Sequence, residues 1–279
     1  MQSRGVVYMA LSALGFSLMA LLVKLAGRHL PTGELVLARA AITLVISYAM
    51  VRRASLSPWG KRRAGLFGRG LLGFAGLGTY YLALAHLSLA DATTLQNTQP
   101  LITALLAWWL LDERVGWGAA FAIACGIGGV LLVVHPGFGA NASTFGIAVA
   151  LASAVISAIA YVTVRQLATT EDPLVIVFYF PLVATPLAIP WAIADFVWPS
   201  PLDWLLLVGL GISTQIGQVF LTKALAIERA GRATSVGYLQ ICFAVIWQLV
   251  IFGETPAIGT LAGAALIIGG TAVVARTAT

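Results

Sequence analysis

The chain has 279 residues, 60% hydrophobic and only 9% charged, with 16 Lys and Arg against 10 Asp and Glu. A water-soluble domain carries about 25% charged residues, so this composition leaves too little polar surface to cover a globule in water. A soluble fold is excluded, and lipid is the solvent that fits. The first uncharged stretch, 5–23, is longer than a signal-peptide core. No small-residue cleavage site follows it before Lys24, so it is read as a retained helix. The second, 33–51, carries Glu34 and Arg39. The stretches 70–90, 92–111 and 115–134 complete a first half, and 142–164, 173–194, 204–222, 233–253 and 255–275 make up a second. Each is 19 to 23 residues long, close to the ~20 that cross a ~30 Å hydrocarbon core as helix. Ten transmembrane helices follow. A spanning β-barrel would show ~10-residue segments of alternating polarity, and there are none.

Basic residues orient the bundle. With the N-terminus in the cytoplasm, the inner side receives Arg4, Arg52, Arg53, Lys61, Arg62, Arg63, Arg69, Arg114, Arg165, Lys223, Arg229, Arg232 and Arg276. The outer side receives Lys24 and Arg28, and Arg39 falls within the bilayer. That asymmetry places both termini in the cytoplasm. The net charge of +6 is thus a topology signal, and the basic loop Arg52–Arg63 faces anionic lipid rather than nucleic acid. Cys125 and Cys242 fall inside spans and read as small core residues. His29, His86 and His135 are scattered and form no metal site, and no cofactor-binding or enzyme motif is present.

Sliding the chain against itself by 141 residues aligns polar positions that rarely match by chance. Thr93 falls on Thr234, Gln99 on Gln240, Glu113 on Glu254 and Lys24 on Arg165; Ser12, Gly118 and the Ile127-Gly128-Gly129 run find equals at the same offset. Each half holds five spans, an odd number, so the second half enters the membrane from the opposite side. The expected architecture is an all-α membrane protein of two inverted five-helix repeats, 1–138 and 142–279. Such repeats place the substrate site near the midplane at their interface.

The doubled pattern resembles the drug/metabolite transporter superfamily and its EamA-type ten-helix exporters. It is carried by Lys24 and Arg165 closing the first helix of each half, Arg39 in the second helix, and the Tyr80-Tyr81-x-Ala-Leu and Leu221-Thr222-Lys223-Ala224-Leu225 segments. The Leu111–Glu113 and Phe252–Glu254 helix ends complete it. The chain looks most like the YddG-type amino-acid exporters. The resemblance implies efflux of amino acids or similar metabolites across a bacterial inner membrane. It also implies a cavity lined by helices 1–4 and 6–9, and helices 5 and 10 as a brace. One position departs from the doubling: Arg39 has Phe180 as its counterpart. The membrane-embedded Glu of the four-helix multidrug branch is missing from both matching helices, which argues against proton-coupled export of cationic drugs.

Polar residues within spans are costly and are read as functional candidates. Asn97 and Pro100 share one face of helix 4 with Thr93 and Gln96, while Gln99 is rotated about 100° from Pro100. Helix 9 offers Tyr238, Gln240 and Trp247. Ser157 and Tyr161 lie on a four-residue stripe of helix 6 that runs from Ser153 to Arg165. Tyr80 and Tyr81 from helix 3, with Gln215 and Gln218 from helix 8, complete an aromatic and amide surface without fixed charge, and Arg39 lies at the cavity mouth. Lys24 and Arg165 either snorkel to the interface or gate the pathway by ion pairs, with Glu34 as a partner for Lys24 and Pro100 as a hinge. Nine of the ten acids sit at span ends or in loops and the tenth, Glu34, is close to one, so export is expected to follow the substrate gradient without proton coupling. The partners expected are a small-molecule substrate and lipid, and the chain is expected to be a monomer or a weak homodimer that packs through the small residues of helices 5 and 10.

Overall fold

The computed structural model describes residues 2–99, 101–103, 105–106, 117–134, 143–227 and 237–277. The first repeat comprises α1 (Gln2–Ala26), α2 (Thr32–Arg53), α3 (Arg63–His86), α4 (Leu89–Gln96) and α5 (Trp117–Val134). The second comprises α6 (Thr144–Leu167), α7 (Pro173–Ala194), α8 (Pro201–Ile227), α9 (Leu239–Phe252) and α10 (Ile258–Thr277). Every regular element among the described residues is helical. This is an all-α, multi-pass membrane protein, and α1, α2, α6, α7 and α8 are each long and apolar enough to cross a bilayer.

Local chemistry sets the helix ends. Ser88 accepts a hydrogen bond from the Asp91 N–H, Ser143 from Gly146 and Asp172 from Leu174, so three helices start on side-chain caps. Pro173 follows the Asp172 cap, where its missing N–H costs nothing. Gly253 stops α9 with φ +66°, a left-handed conformation that favours glycine.

The two repeats interlock. The most extensive packing joins α1 to α8, α3 to α6, α2 to α7 and α5 to α10, always one helix from each half. Advancing each helix by five exchanges the α1–α8 pair with α6–α3 and returns the other two pairs to themselves, which is the two-fold relation of an inverted duplication. The contacts repeat at side-chain level. A Cβ at Gly217 would strike Phe16, and one at Gly76 would press on Ser157. Gly211 lies against Ile42, and Gly70 lies against Val183. In both sets the second pair is the first shifted by 141 residues. Lipid gives apolar helices no reason to associate, so close approach of backbones over small residues supplies the contact. At Gly15 backbone meets backbone: a Cβ there would lie 2.7 Å from the Gly217 nitrogen and 2.9 Å from the Ser213 oxygen.

Loops fasten opposite ends of the bundle across the repeats. The Glu171 carboxylate accepts from the Lys61 and Arg62 N–H groups at 2.7 and 2.5 Å, and the Tyr179 hydroxyl donates to the Trp59 carbonyl at 2.8 Å. At the other end His29 Nδ1 meets Asp203 Oδ1 at 3.2 Å. The small face of α5 is used within the chain, with Gly129 set against Gly263 and Ile267 of α10. Trp191 packs against Gly33 and Gly78, because both glycines leave room for its ring.

Replacing Gly15 with Leu forces α1 and α8 apart. Overpacking of this kind costs about 1–3 kcal/mol. Thermal unfolding in detergent should show a lower midpoint for Gly15→Leu than for Gly68→Leu, since nothing lies within 4 Å of a Cβ at Gly68. Equal midpoints would contradict the close approach.

Candidate functional site

Between the repeats lies a cavity of about 100 Å³. It is lined by Phe16 and Met19 of α1, Arg39 of α2, Arg69, Leu72, Gly73, Gly76, Leu77 and Tyr80 of α3, and Gln96, Asn97 and Gln99 in and after α4. The second repeat supplies Ser157, Ala160, Tyr161, Phe180, Gln218 and Gln240. Gln99 and Gln240, equivalent across the 141-residue offset, both reach it.

The α4 segment departs from an ideal helix, which lets three of its amides face one space. Regular helix ends at Gln96, and a turn at Asn97–Thr98 follows. Pro100 has no N–H to bond the Gln96 carbonyl, which removes the next helical rung. On an unbroken helix Gln99 would lie about 60° from Gln96 but about 160° from Asn97, yet all three line the cavity. Pro100 itself lies outside the described residues, as does any hinge role for it. Within the segment, Asn97 donates to the Thr93 carbonyl at 2.8 Å and Gln96 Nε2 donates to Ser157 Oγ at 3.1 Å, while the Tyr80 and Thr93 hydroxyls share a 3.3 Å hydrogen bond.

The structure corrects the expectation of a cavity without fixed charge. Arg69, counted from sequence among the inner-rim residues, belongs to a helix that already begins at Arg63, so it lies about 9 Å along the axis from that end. Its side chain is buried and stacks on Phe180, 5.4 Å from the ring centroid. Gly73, one turn on, leaves the space: a Cβ there would collide with both the Phe180 ring and the Arg69 guanidinium. Arg39, also buried, stacks on the same ring at 5.0 Å and on Tyr81 at 5.8 Å, and its Nε donates to Thr214 Oγ1 at 3.2 Å. Phe180 is therefore the shared seat of two arginines, and it is the residue that stands opposite Arg39 in the repeat. Arg39 Nη1 and Arg69 Nε and Nη1 are buried without a hydrogen-bond partner among the described residues. Among the described residues, none that lines the cavity is acidic.

Removing a guanidinium from water costs several kcal/mol even after relaxation. A cation–π contact returns about 0.5–2 kcal/mol. The rings alone leave the two charges under-compensated.

Other candidates take structural places. Tyr81, rotated about 100° from Tyr80, lines a second cavity of about 310 Å³ together with Lys24, Arg28, Thr32, Phe252 and Glu254. That cavity sits where α1, α3 and α9 end, and Arg39 stands between the two. Lys24 neither snorkels nor pairs with Glu34. Its Nζ donates to the Leu84 and Leu87 carbonyls at 2.7 and 2.5 Å, capping the end of α3, where carbonyls lack helical partners. Glu34 accepts from the Val197 N–H at 3.2 Å. Arg165 is half-buried in the last turn of α6. Gln215 faces Met50 at 3.5 Å rather than the cavity. Trp247 donates to Ser17 Oγ at 3.3 Å and joins α9 to α1. Tyr238 is buried in a small cluster with Ile241, Ala264 and Ile267. Gln248 accepts from the Ala90 N–H at 2.8 Å, and Thr260 donates to Asp91, so α9 and α10 are tied to the start of α4.

The EamA-like transporter family model matches the chain twice, over residues 3–135 and 144–276. The chain belongs to the EamA-like transporter family. Through it the chain is a member of the drug/metabolite transporter superfamily and a metabolite transporter embedded in a membrane. Among the relatives of this EamA protein, the pseudopaline exporter CntI of Pseudomonas aeruginosa is 35% identical over 274 residues, covering 98% of this chain and 96% of its own length. Solute carrier family 35 member G1 of Mus musculus is 32% identical over 95% of this chain and 76% of its own. The S-adenosylmethionine uptake transporter of Rickettsia prowazekii is 28% identical over 73% and 68%. A solved crystal structure shares the EamA fold with a TM-score of 0.70 at 23% identity, over 96% of this chain and 97% of its own.

Two amides of the same helix should separate by role. Gln248→Ala leaves the buried Ala90 N–H unpaired and should destabilise the fold by about 1–3 kcal/mol while leaving the substrate KM unchanged. Gln240→Ala should leave the melting midpoint in place and change KM. The reverse assignment, measured in liposomes and by thermal unfolding, would contradict the geometry.

Proposed function

We propose that this protein exports an amino acid or a closely related small metabolite by alternating access, with the cavity between the repeats as the substrate site. The observation that carries the reading is that both halves supply equivalent residues, Gln99 and Gln240, to one cavity. Rocking of the interlocked bundle from one arrangement into its mirror exposes such a site to each face in turn. Gln96, Asn97, Ser157, Tyr161 and Gln218 offer hydrogen bonds to a polar solute, while Phe16 and Tyr80 offer ring faces. The second cavity, with Lys24, Arg28 and Glu254, forms the outer vestibule.

The protein lies in a bacterial inner membrane with both termini cytoplasmic, as the distribution of Lys and Arg favours. Its repeats are 1–138 and 142–279, and the chain works as a monomer or a weak dimer. Transport follows the substrate gradient. Among the described residues the cavity lining holds no carboxylate to carry a proton, and coupled carriers use such a group. Transport of cationic drugs on the same fold is disfavoured by Arg39 and Arg69 in the lining. Direction in the cell follows the gradient, in keeping with relatives named for export and for uptake.

Counterflow into liposomes with labelled amino acids, sugars and organic cations tests the reading. Amino acids should exchange, and an imposed pH gradient at constant substrate should leave the rate unchanged. A reversal of flux with the pH gradient would contradict uncoupled transport, and exchange of organic cations alone would contradict the substrate class.

A further inference from the structure

We propose that Arg39 and Arg69 form a two-arginine anion clamp, so that the transported solute is held by carboxylate groups and solutes with two carboxylates are preferred. The inference rests on the cavity being the transport site and adds the chemistry that it selects.

Two charges line one cavity, and among the described residues no acid lines it. Both side chains are more than nine-tenths buried, at 2% and 3% exposure, and three of their N–H-bearing atoms find no partner among the described residues. Arginine stays protonated at any physiological pH, so neither charge is relieved by losing a proton. Phe180 lies against both guanidinium groups and Tyr81 against that of Arg39, while Arg39 Nη1 and Arg69 Nε and Nη1 are left for a ligand. Those edges match a carboxylate in shape, two parallel N–H groups to two oxygens. Gly73 keeps Arg69 in this position, since any side chain there would push the guanidinium off the ring. One carboxylate would balance one arginine and leave the other exposed to hydrocarbon. A dicarboxylate, or a metabolite with two acid groups near one end, balances both. The amides of Gln96 and Gln99 can turn to offer donor or acceptor and so accommodate an amino group on the same solute.

Buried charges without partners also destabilise the empty protein. A purely structural arginine and a ligand-holding one therefore predict opposite behaviour when the charge is removed.

The test uses the full-length protein in liposomes, with labelled glutamate, glutamine, glycerol 3-phosphate and 1,4-diaminobutane as solutes of similar size and different charge. Melting midpoints are measured with and without each. Glutamate should exchange fastest, glutamine at least tenfold more slowly, and the diamine should not move. Arg39→Gln and Arg69→Met should each raise the KM for glutamate at least tenfold. Both should melt at or above the wild-type temperature without ligand and lose the upward shift that glutamate gives the wild type. Faster exchange of glycerol 3-phosphate than glutamate would overturn the carboxylate assignment in favour of phosphate. Exchange of the diamine or glutamine at the glutamate rate would overturn the clamp and leave the transporter reading intact. A marked fall in midpoint in both variants with KM unchanged would assign the arginines to the fold and also overturn the clamp. Absence of exchange and of any thermal shift across the whole panel would overturn both readings.

Discussion

In hydrocarbon, apolar side chains gain nothing by leaving lipid for one another, so this bundle depends on how closely helix backbones approach. The closest approaches join helices of opposite repeats. Gly15 and Gly217 bring α1 against α8, and Gly76 brings α3 against α6. Because the duplicated halves are inverted, each such contact has a counterpart with the chain direction exchanged. The result is two halves that hold one another, with neither forming a separate globule.

That arrangement decides where the polar cavity forms. Small residues draw the helices together along α1–α8 and α3–α6, and the cavity lies beside these contacts, with Phe16, Gly76 and Ser157 in its lining. The broken helix after Gln96 and the large rings of Phe16, Tyr80, Tyr161 and Phe180 occupy the gap. Polar atoms there are shielded from lipid and available to a solute, which is the environment in which a membrane protein tolerates irregular backbone and charge. The pseudo-symmetry is broken at the most consequential position: Arg39 has an aromatic counterpart, and the two residues meet in the folded protein as cation and ring. Arg69 has Leu210 as its counterpart at the same offset, so both charges come from the first repeat and the seat of both comes from the second.

Much of this was legible in the sequence. Runs without charge gave the helices, because lipid penalises charge over a fixed length. The 141-residue offset gave the inversion, because an odd number of spans reverses direction. Gln99 and Gln240 stood out since amides matched across apolar helices are rare. Arg69 was not legible: it opens an uncharged run and reads as a rim residue, and only a helix beginning at Arg63, with Gly73 clearing the space, turns it inward. Tyr81, Gln215, Trp247 and Tyr238 were polar or aromatic in the right helices but on the wrong side of them, and without a resolved helix rotation the sequence cannot separate Tyr80 from Tyr81. Lys24 misled for another reason. Its partners are backbone carbonyls of α3, and no residue type announces those.

The central claim is that one pocket is built by both repeats and serves one solute. With Cys125 and Cys242 replaced by Ser, single cysteines at Gln99 and at Gln240 can be labelled with a small maleimide in liposomes. Substrate should protect both positions, each at a half-maximal concentration that matches the transport KM of that same variant, although they belong to different halves of the chain. Protection of one position with the other unaffected, or protection at a concentration far from that variant's own KM, would contradict a shared site.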